Sequence, residues 1–298
     1  MPAILLHGVA GALYAALAFY FWTTRWRVPA IRWRAPSAKP RGARAWERAA
    51  VLLALALHGS LLYADLFAAQ RLRFGFAHAL STMFWLGLLV YWVENLFYSL
   101  EGVEPLLLAA AALAAPLPAF FPGLDSSGAY ADSPELRAHL ALAMVAYSLA
   151  VIAALHAALM ALVERELHRP RSGSARTADR RRGLPGGPLG GPLGSLPPLL
   201  ALERLLFRVI ALAFVFLTLT LATGVAFSET LFGRALRFDH KTIFAVLSWA
   251  TFAALLAGRH LYGWRGRLAL RGTLTGFVLL LLAYVGSRFV LEVVLGRS

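Results

Sequence analysis

Cysteine is absent from all 298 residues. Its absence excludes disulfides, thiolate metal sites, iron–sulfur clusters and any thioether-linked cofactor. A metal or prosthetic group would have to be held by His, Met, Tyr or a carboxylate. Acidic residues are scarce: 15 Asp and Glu stand against 29 Lys and Arg, for a formal net charge of +14. Catalytic signatures are also missing. The chain has no G-x-S-x-G, H-E-x-x-H, P-loop or G-x-G-x-x-G. The expectation is therefore a protein that binds or carries, not an enzyme. The first apolar run has no basic residues before it and no clear small-x-small site after it, so no cleavable signal peptide is expected.

Apolar residues are abundant. They make up 59% of the chain, against about 45–50% in a soluble domain, and the mean hydropathy is +0.66. About 20 apolar residues cross a bilayer. Eight such runs are read, at roughly 3–22, 49–67, 76–94, 103–121, 138–162, 206–227, 242–258 and 273–295. The expected fold is all-α: a polytopic membrane helix bundle of about eight transmembrane helices, forming one domain. The fourth run is the weakest, because Pro116, Pro118 and Pro122 crowd its end. Pro105 at its first turn is tolerated, since the missing N–H has no helical partner there.

Charge follows the spans. The loops 23–48, 95–102, 163–205 and 259–272 and their edges hold 21 of the 29 Lys and Arg. Basic residues mark the cytoplasmic side, so both termini are expected outside, in the periplasm of a bacterial inner membrane. The same distribution argues against nucleic acid as a partner, because the basic residues border membrane helices and form no separate basic domain. A stretch at about 169–200 is rich in Arg, Gly and Pro. It cannot build a core and reads as a disordered cytoplasmic linker between five helices and three.

Polar residues at the span mouths carry the functional signal. Asp239-His240-Lys241-Thr242 opens the seventh run. His139 opens the fifth, on the same side, with Tyr147 a little over two turns further on roughly the same face. Two histidines at one depth suggest axial ligation of a metal or haem. The alternative is a pair of interfacial histidines satisfied by water. His58 lies in the middle of the second run, where an ionisable group marks a functional site by default. The alternative there is a neutral imidazole making one interhelical hydrogen bond. His7 could face the same cavity, and His78 reads as an interfacial anchor. His156 lies about 25 Å along the helix from His139 and cannot share its site. His168 and His260 flank basic runs and read as solvated. Asp65 reads as a partner for Arg71 or Arg73. Glu94, Glu101 and Glu104 read as solvated helix-end charges. A haem would need cations for its propionates and an aromatic wall. Arg71, Arg73, Arg137, Arg234, Arg237 and Lys241 are the cations available outside. Phe74, Phe76, Trp85, Phe232, Phe238 and Trp249 are the candidate wall.

These residues resemble a known family. The run Asp239 to Trp249, the stretch Arg137-Ala138-His139 with Tyr147, and the tail Leu282 to Glu292 resemble the cytochrome c assembly (CcsA/CcmC-like) membrane proteins. The segments Leu72 to Phe76 and Tyr262 to Arg267 are similar to its small bacterial inner-membrane subgroup. The resemblance implies a haem-handling role in cytochrome c assembly, with non-covalent haem b near the outer face. It implies His139 as an external haem ligand. The loop Ser228–Phe238 has no tryptophan, and Val294 to Arg297 has no histidine, where the family carries both. His240 stands where the family has proline and is read as a substitute axial ligand. Asp239, Lys241 and His58 complete the expected site, His58 as an inner ligand or relay. Other assembly or membrane proteins are expected partners. The alternative function is a haem-free regulatory or scaffold subunit acting through the basic cytoplasmic loops.

Overall fold

A computed structural model describes residues 2–26, 45–67, 72–97, 104–123, 125–126, 133–167, 199–232 and 239–295. The expected linker lies outside the described residues up to 198. The elements run α1 Pro2–Phe21, α2 Ala45–Phe67, β1 Leu72–Arg73, α3 Phe76–Phe97, α4 Glu104–Ala114, α5 Leu117–Phe120, β2 Asp125–Ser126, α6 Pro134–Leu167, α7 Leu199–Phe232, α8 His240–Tyr262, α9 Arg267–Leu281 and α10 Ser287–Phe289. Two π-helical turns, Leu282–Gly286 and Val290–Val294, bracket α10. Seven helices are long and apolar enough to cross a membrane, and Glu104–Phe120 is a shorter apolar helix. The all-α polytopic bundle of about eight helices is therefore observed.

Two cores share α3 and α6. One is built mainly from α6, α7, α8 and α9, around Ile152, Ile210 and Phe252. The other is built mainly from α1, α2, α3 and α4, around Tyr14, Leu55 and Leu107. Small residues let helices approach closely where no solvent drives them together. A Cβ added to Gly276 of α9 would meet the Phe252 ring of α8 at 2.7 Å, and one added to Gly272 would meet Leu255 at 2.6 Å. Across the same seam the buried Ser248 hydroxyl donates to the Gly276 carbonyl at 2.8 Å.

The fourth apolar run breaks at Ala115–Pro116, and the break has a use. The Ala119 N–H bonds to the Pro116 carbonyl, so the Ala115 carbonyl lacks its helical partner. His7 Nδ1 takes it at 3.0 Å. His7 Nε2 meets Asp65 Oδ2 at 2.9 Å. Both ring nitrogens thus face oxygen acceptors, and an extra proton must be shared between imidazole and carboxylate to satisfy them. Arg71 and the side chain of Arg73, the partners expected for Asp65, lie outside the described residues; the partner observed is His7, which the chain break positions.

Two expectations are corrected. Glu104 is 4% exposed and so is not a solvated helix-end charge. The segment read as a loop from Ser228 begins as helix, because α7 continues to Phe232; residues 233–238 lie outside the described set.

Call the bundle end that carries Pro2 the proximal end. The short strands pair there, Leu72 with Ser126 and Arg73 with Asp125. Beside them Gly75 and Gly123 nearly touch: a Cβ on Gly75 would lie 2.9 Å from Gly123 Cα and 2.8 Å from Glu292 Oε2. Glu292 uses that close approach. Its carboxylate accepts the Phe76 N–H at 3.4 Å, a negative charge at the start of α3, where the helix dipole favours it.

Candidate functional site

A cavity of about 510 Å³ opens near the proximal end between α6, α7, α8 and the last span. That volume lies within the usual range for ligand pockets. Its wall is mostly apolar, with Ala143, Leu217, Ala245 and Leu280 among its residues. The polar groups on it are His139, Tyr147, Thr220, Asp239, Lys241, Thr242 and Tyr284. The sequence placed His139, Asp239 and Lys241 together, and the structure does so.

His139 is held by α7. Its Nδ1 lies 2.9 Å from Thr223 Oγ1. The Thr223 hydroxyl sits 2.9 Å from the Leu219 carbonyl and 3.1 Å from the Thr220 carbonyl. One hydroxyl has one proton, and these carbonyls can only accept. Thr223 therefore donates back into its own helix and accepts from His139 Nδ1–H. That assigns the Nδ1-H tautomer and leaves the Nε2 lone pair open, as in a metal-ligating histidine whose second nitrogen is fixed by an outer partner. Among the described residues, no protein hydrogen bond is made by Nε2. Gly224 lies beside the ring: a Cβ there would stand 3.4 Å from His139 Cε1, in ordinary contact.

Asp239 is the N-cap of α8. Its Oδ1 accepts the Thr242 N–H at 3.0 Å and the Thr242 hydroxyl at 3.1 Å. Partial burial pushes its carboxyl up, but those two bonds and the nearby Lys241 and His240 charges outweigh burial and hold it below the ordinary value. His240 is the first residue of α8, exposed, and not on the cavity wall. Among the described residues, His139 is the one histidine that lines it. His58 is fully buried in the other half of the bundle. Its Nδ1 is 3.3 Å from the Tyr14 hydroxyl and its Nε2 2.8 Å from Ser81 Oγ. His7 and His78 line a separate small cavity with Asp65. His156 bonds back to the Ile152 carbonyl. His260 is exposed, as expected.

The expected aromatic wall is only partly met. Phe74 lines the cavity. Trp85 lines a neighbouring apolar cavity of about 370 Å³, with Arg137 at its edge. Trp249 faces away, stacked on Phe214 and donating to Thr218. Phe76 packs on Phe121 and Phe289. Arg71, Arg234, Arg237 and Phe238 lie outside the described residues. The sequence reading missed Thr223 and Tyr284 as site residues. Thr223 had no signal, since a threonine on a membrane helix is ordinary.

The fold and the cavity define a polytopic helical membrane protein with a partly polar cavity near one end. The chain belongs to the Cytochrome C assembly protein family, whose profile it matches over residues 46–295. It is 29% identical over 162 residues to the inner membrane protein YpjD of Escherichia coli K12, covering 54% of each chain. It is 34% identical over 158 residues to an uncharacterised 28.8 kDa protein of Azospirillum brasilense, covering 53% of this chain and 52% of that one. A cytochrome c biogenesis protein CcsA of Prochlorococcus marinus (strain MIT 9215) is 36% identical over 88 residues, covering 30% of this chain and 28% of its own. The chain thus spans about half the length, or less, of these curated relatives. No solved structure matches.

Proposed function

We propose that this chain handles haem in cytochrome c assembly, holding haem b non-covalently in the cavity and passing it on without bond chemistry of its own. The observation that carries this reading is His139. Its Nδ1 is fixed by Thr223, its Nε2 makes no protein hydrogen bond among the described residues, and the residue lines a cavity of about 510 Å³. The donor set fits the group: a neutral imidazole for iron, an apolar enclosure for the macrocycle, and Lys241 for a propionate. Haem iron supplies the coordination and the spectrum when bound; the chain orients and shields it. His240, exposed beside Asp239 and off the cavity wall, would supply the second haem ligand. His58, closed between Tyr14 and Ser81, is assigned a relay and not ligation. The inner membrane relatives support a bacterial inner-membrane location, and the basic loops support both termini on the periplasmic side.

The test is optical. The full chain, purified in mild detergent after expression with ample haem, should show a Soret band and a b-type pyridine haemochrome. His139→Ala should abolish or shift that band, and His240→Ala should shift it. A folded preparation without a Soret band would sink the reading. The second reading is a haem-free scaffold working through its cytoplasmic loops and partner membrane proteins. That His139 is the one lining histidine among the described residues favours it. Deleting 172–198 would then abolish function while His139→Ala left it intact.

A further inference from the structure

The second cavity, of about 370 Å³, is a cleft between α2 and α6 with α3 as its floor. Both helices pack on α3. α2 contributes Leu62 and Tyr63, α3 Trp85, and α6 Arg137, Ala141 and Val145. The floor is fixed from two sides. A Cβ on Gly59 would meet the Trp85 ring at 2.7 Å, so only glycine there lets the indole lie where it does. The indole N–H donates to the Leu55 carbonyl at 2.8 Å.

The cleft opens sideways. Tyr63 and Ala141 are exposed, and they lie inside the apolar spans Ala45–Leu66 and Pro134–Leu162. At that depth the surrounding medium is acyl chain. Apart from Arg137, Tyr63, Thr82 and the engaged Trp85 N–H, the lining is apolar. Such a space does not hold water and accepts an apolar guest; about 150 Å³ is enough for benzene. The one charge stands at one end. Arg137 is exposed in the first turn of α6, and Val145 lies ~12 Å further along that helix. The cleft therefore has a cationic head and an apolar body.

We infer that this cleft binds an anionic phospholipid, with one acyl chain lying along α6 past Ala141 to Val145 and the phosphate on Arg137. A guanidinium can grip a phosphate bidentately, and basic side chains at a bilayer surface attract anionic headgroups. The site goes beyond the haem-handling reading and does not rest on it. Phe74, Leu140 and Met144 line both cavities, so the bound chain borders the His139 cavity across those three side chains.

Trp85 reports on the cleft from inside. The full chain would be reconstituted in phosphatidylcholine vesicles containing rising fractions of phosphatidylglycerol brominated on its acyl chains, which quench tryptophan on contact. A parallel series would use brominated phosphatidylcholine. The Trp85 signal is the emission lost in Trp85→Phe. The anionic lipid should quench it at about five-fold lower mole fraction, equivalent to about 1 kcal/mol. Arg137→Gln should remove that preference, and Arg137→Lys should keep most of it. Ala141→Phe fills the cleft and should reduce Trp85 quenching by either lipid. Circular dichroism and monodisperse elution check that each variant is folded, and Val145→Phe serves where Ala141→Phe is not. Equal quenching by the two lipids overturns the site, because the chain is then held without its headgroup. So does a Trp85 that neither lipid quenches, a preference that persists in Arg137→Gln, or quenching that a folded filling variant leaves unchanged.

Discussion

Thr223 decides which nitrogen of His139 is available. Its hydroxyl proton goes to its own helix, so it can only accept from Nδ1. Thr223→Val removes that acceptor at nearly constant volume. Outer partners of this kind are worth roughly 10–100-fold in affinity, so the haem titration should weaken by about ten-fold in Thr223→Val while the helix content stays unchanged. An unaltered titration would mean that the tautomer is set elsewhere. Asp239 is the other residue whose role is defined by its bonds. Asp239→Ala should cost about 1 kcal/mol through loss of the cap, read as a lower midpoint in detergent denaturation. Its folded carboxyl titrates below the ordinary 3.8, so its contribution is present above that pH and lost as pH falls from there through the lower folded value. The wild-type midpoint should therefore fall on acidification below 3.8, and the difference from Asp239→Ala should shrink with it. His139, Asp239 and Lys241 were legible in the sequence because they interrupt apolar runs at span mouths. Thr223 and Tyr284 were not. A hydroxyl on a membrane helix usually bonds its own backbone, and nothing in the sequence says which one faces an imidazole 84 positions away.

At the scale of elements, the spans were legible and their ends were not. All eight apolar runs became helices, but α6 and α7 each extend to 34 residues. Hydropathy marks the part of a helix that lies in lipid, and the polar ends continue past it. The α8–α9 seam is a glycine interface hidden from periodicity, because what matters is which residue faces Gly276. Gly276→Leu would drive its side chain into Phe252. Overpacking of this kind costs about 1–3 kcal/mol, and a thermal melt followed by circular dichroism should show the loss. Gly75→Ala should also destabilise, since its Cβ would strike Glu292 and Gly123. An unchanged melt for both variants would contradict the close approaches described. The Asp65–His7 contact was not legible for a related reason. The partner of Asp65 became available only through the Pro116 break, which frees the carbonyl that fixes His7.

At the scale of the whole molecule, orientation is the open variable that sequence charge predicts. The absence of cysteine makes it directly measurable, because any introduced thiol is unique. Single cysteines at Ser133 and at Ser172 should label from opposite sides of the membrane in intact cells, Ser133 with an impermeant maleimide and Ser172 only after permeabilisation. The reverse pattern would invert the topology and move the cavity to the cytoplasmic face.

The length of α6 and α7 bears on how this protein can be engineered. A helix of 34 residues is about 51 Å long, against about 30 Å of hydrocarbon. The two pack side by side. At their distal ends Glu203 of α7 pairs with Arg259, and Glu164 of α6 bonds Arg267 at 2.7 Å. Leu167 and Leu199 thus end and begin neighbouring rods that are clamped to the α8–α9 hairpin by charge. Closing a longer loop costs only about 0.6 kcal/mol for each doubling of its length. A reporter domain whose own termini lie close together can therefore be spliced between these rods as cargo, without straining the bundle that carries the cavity.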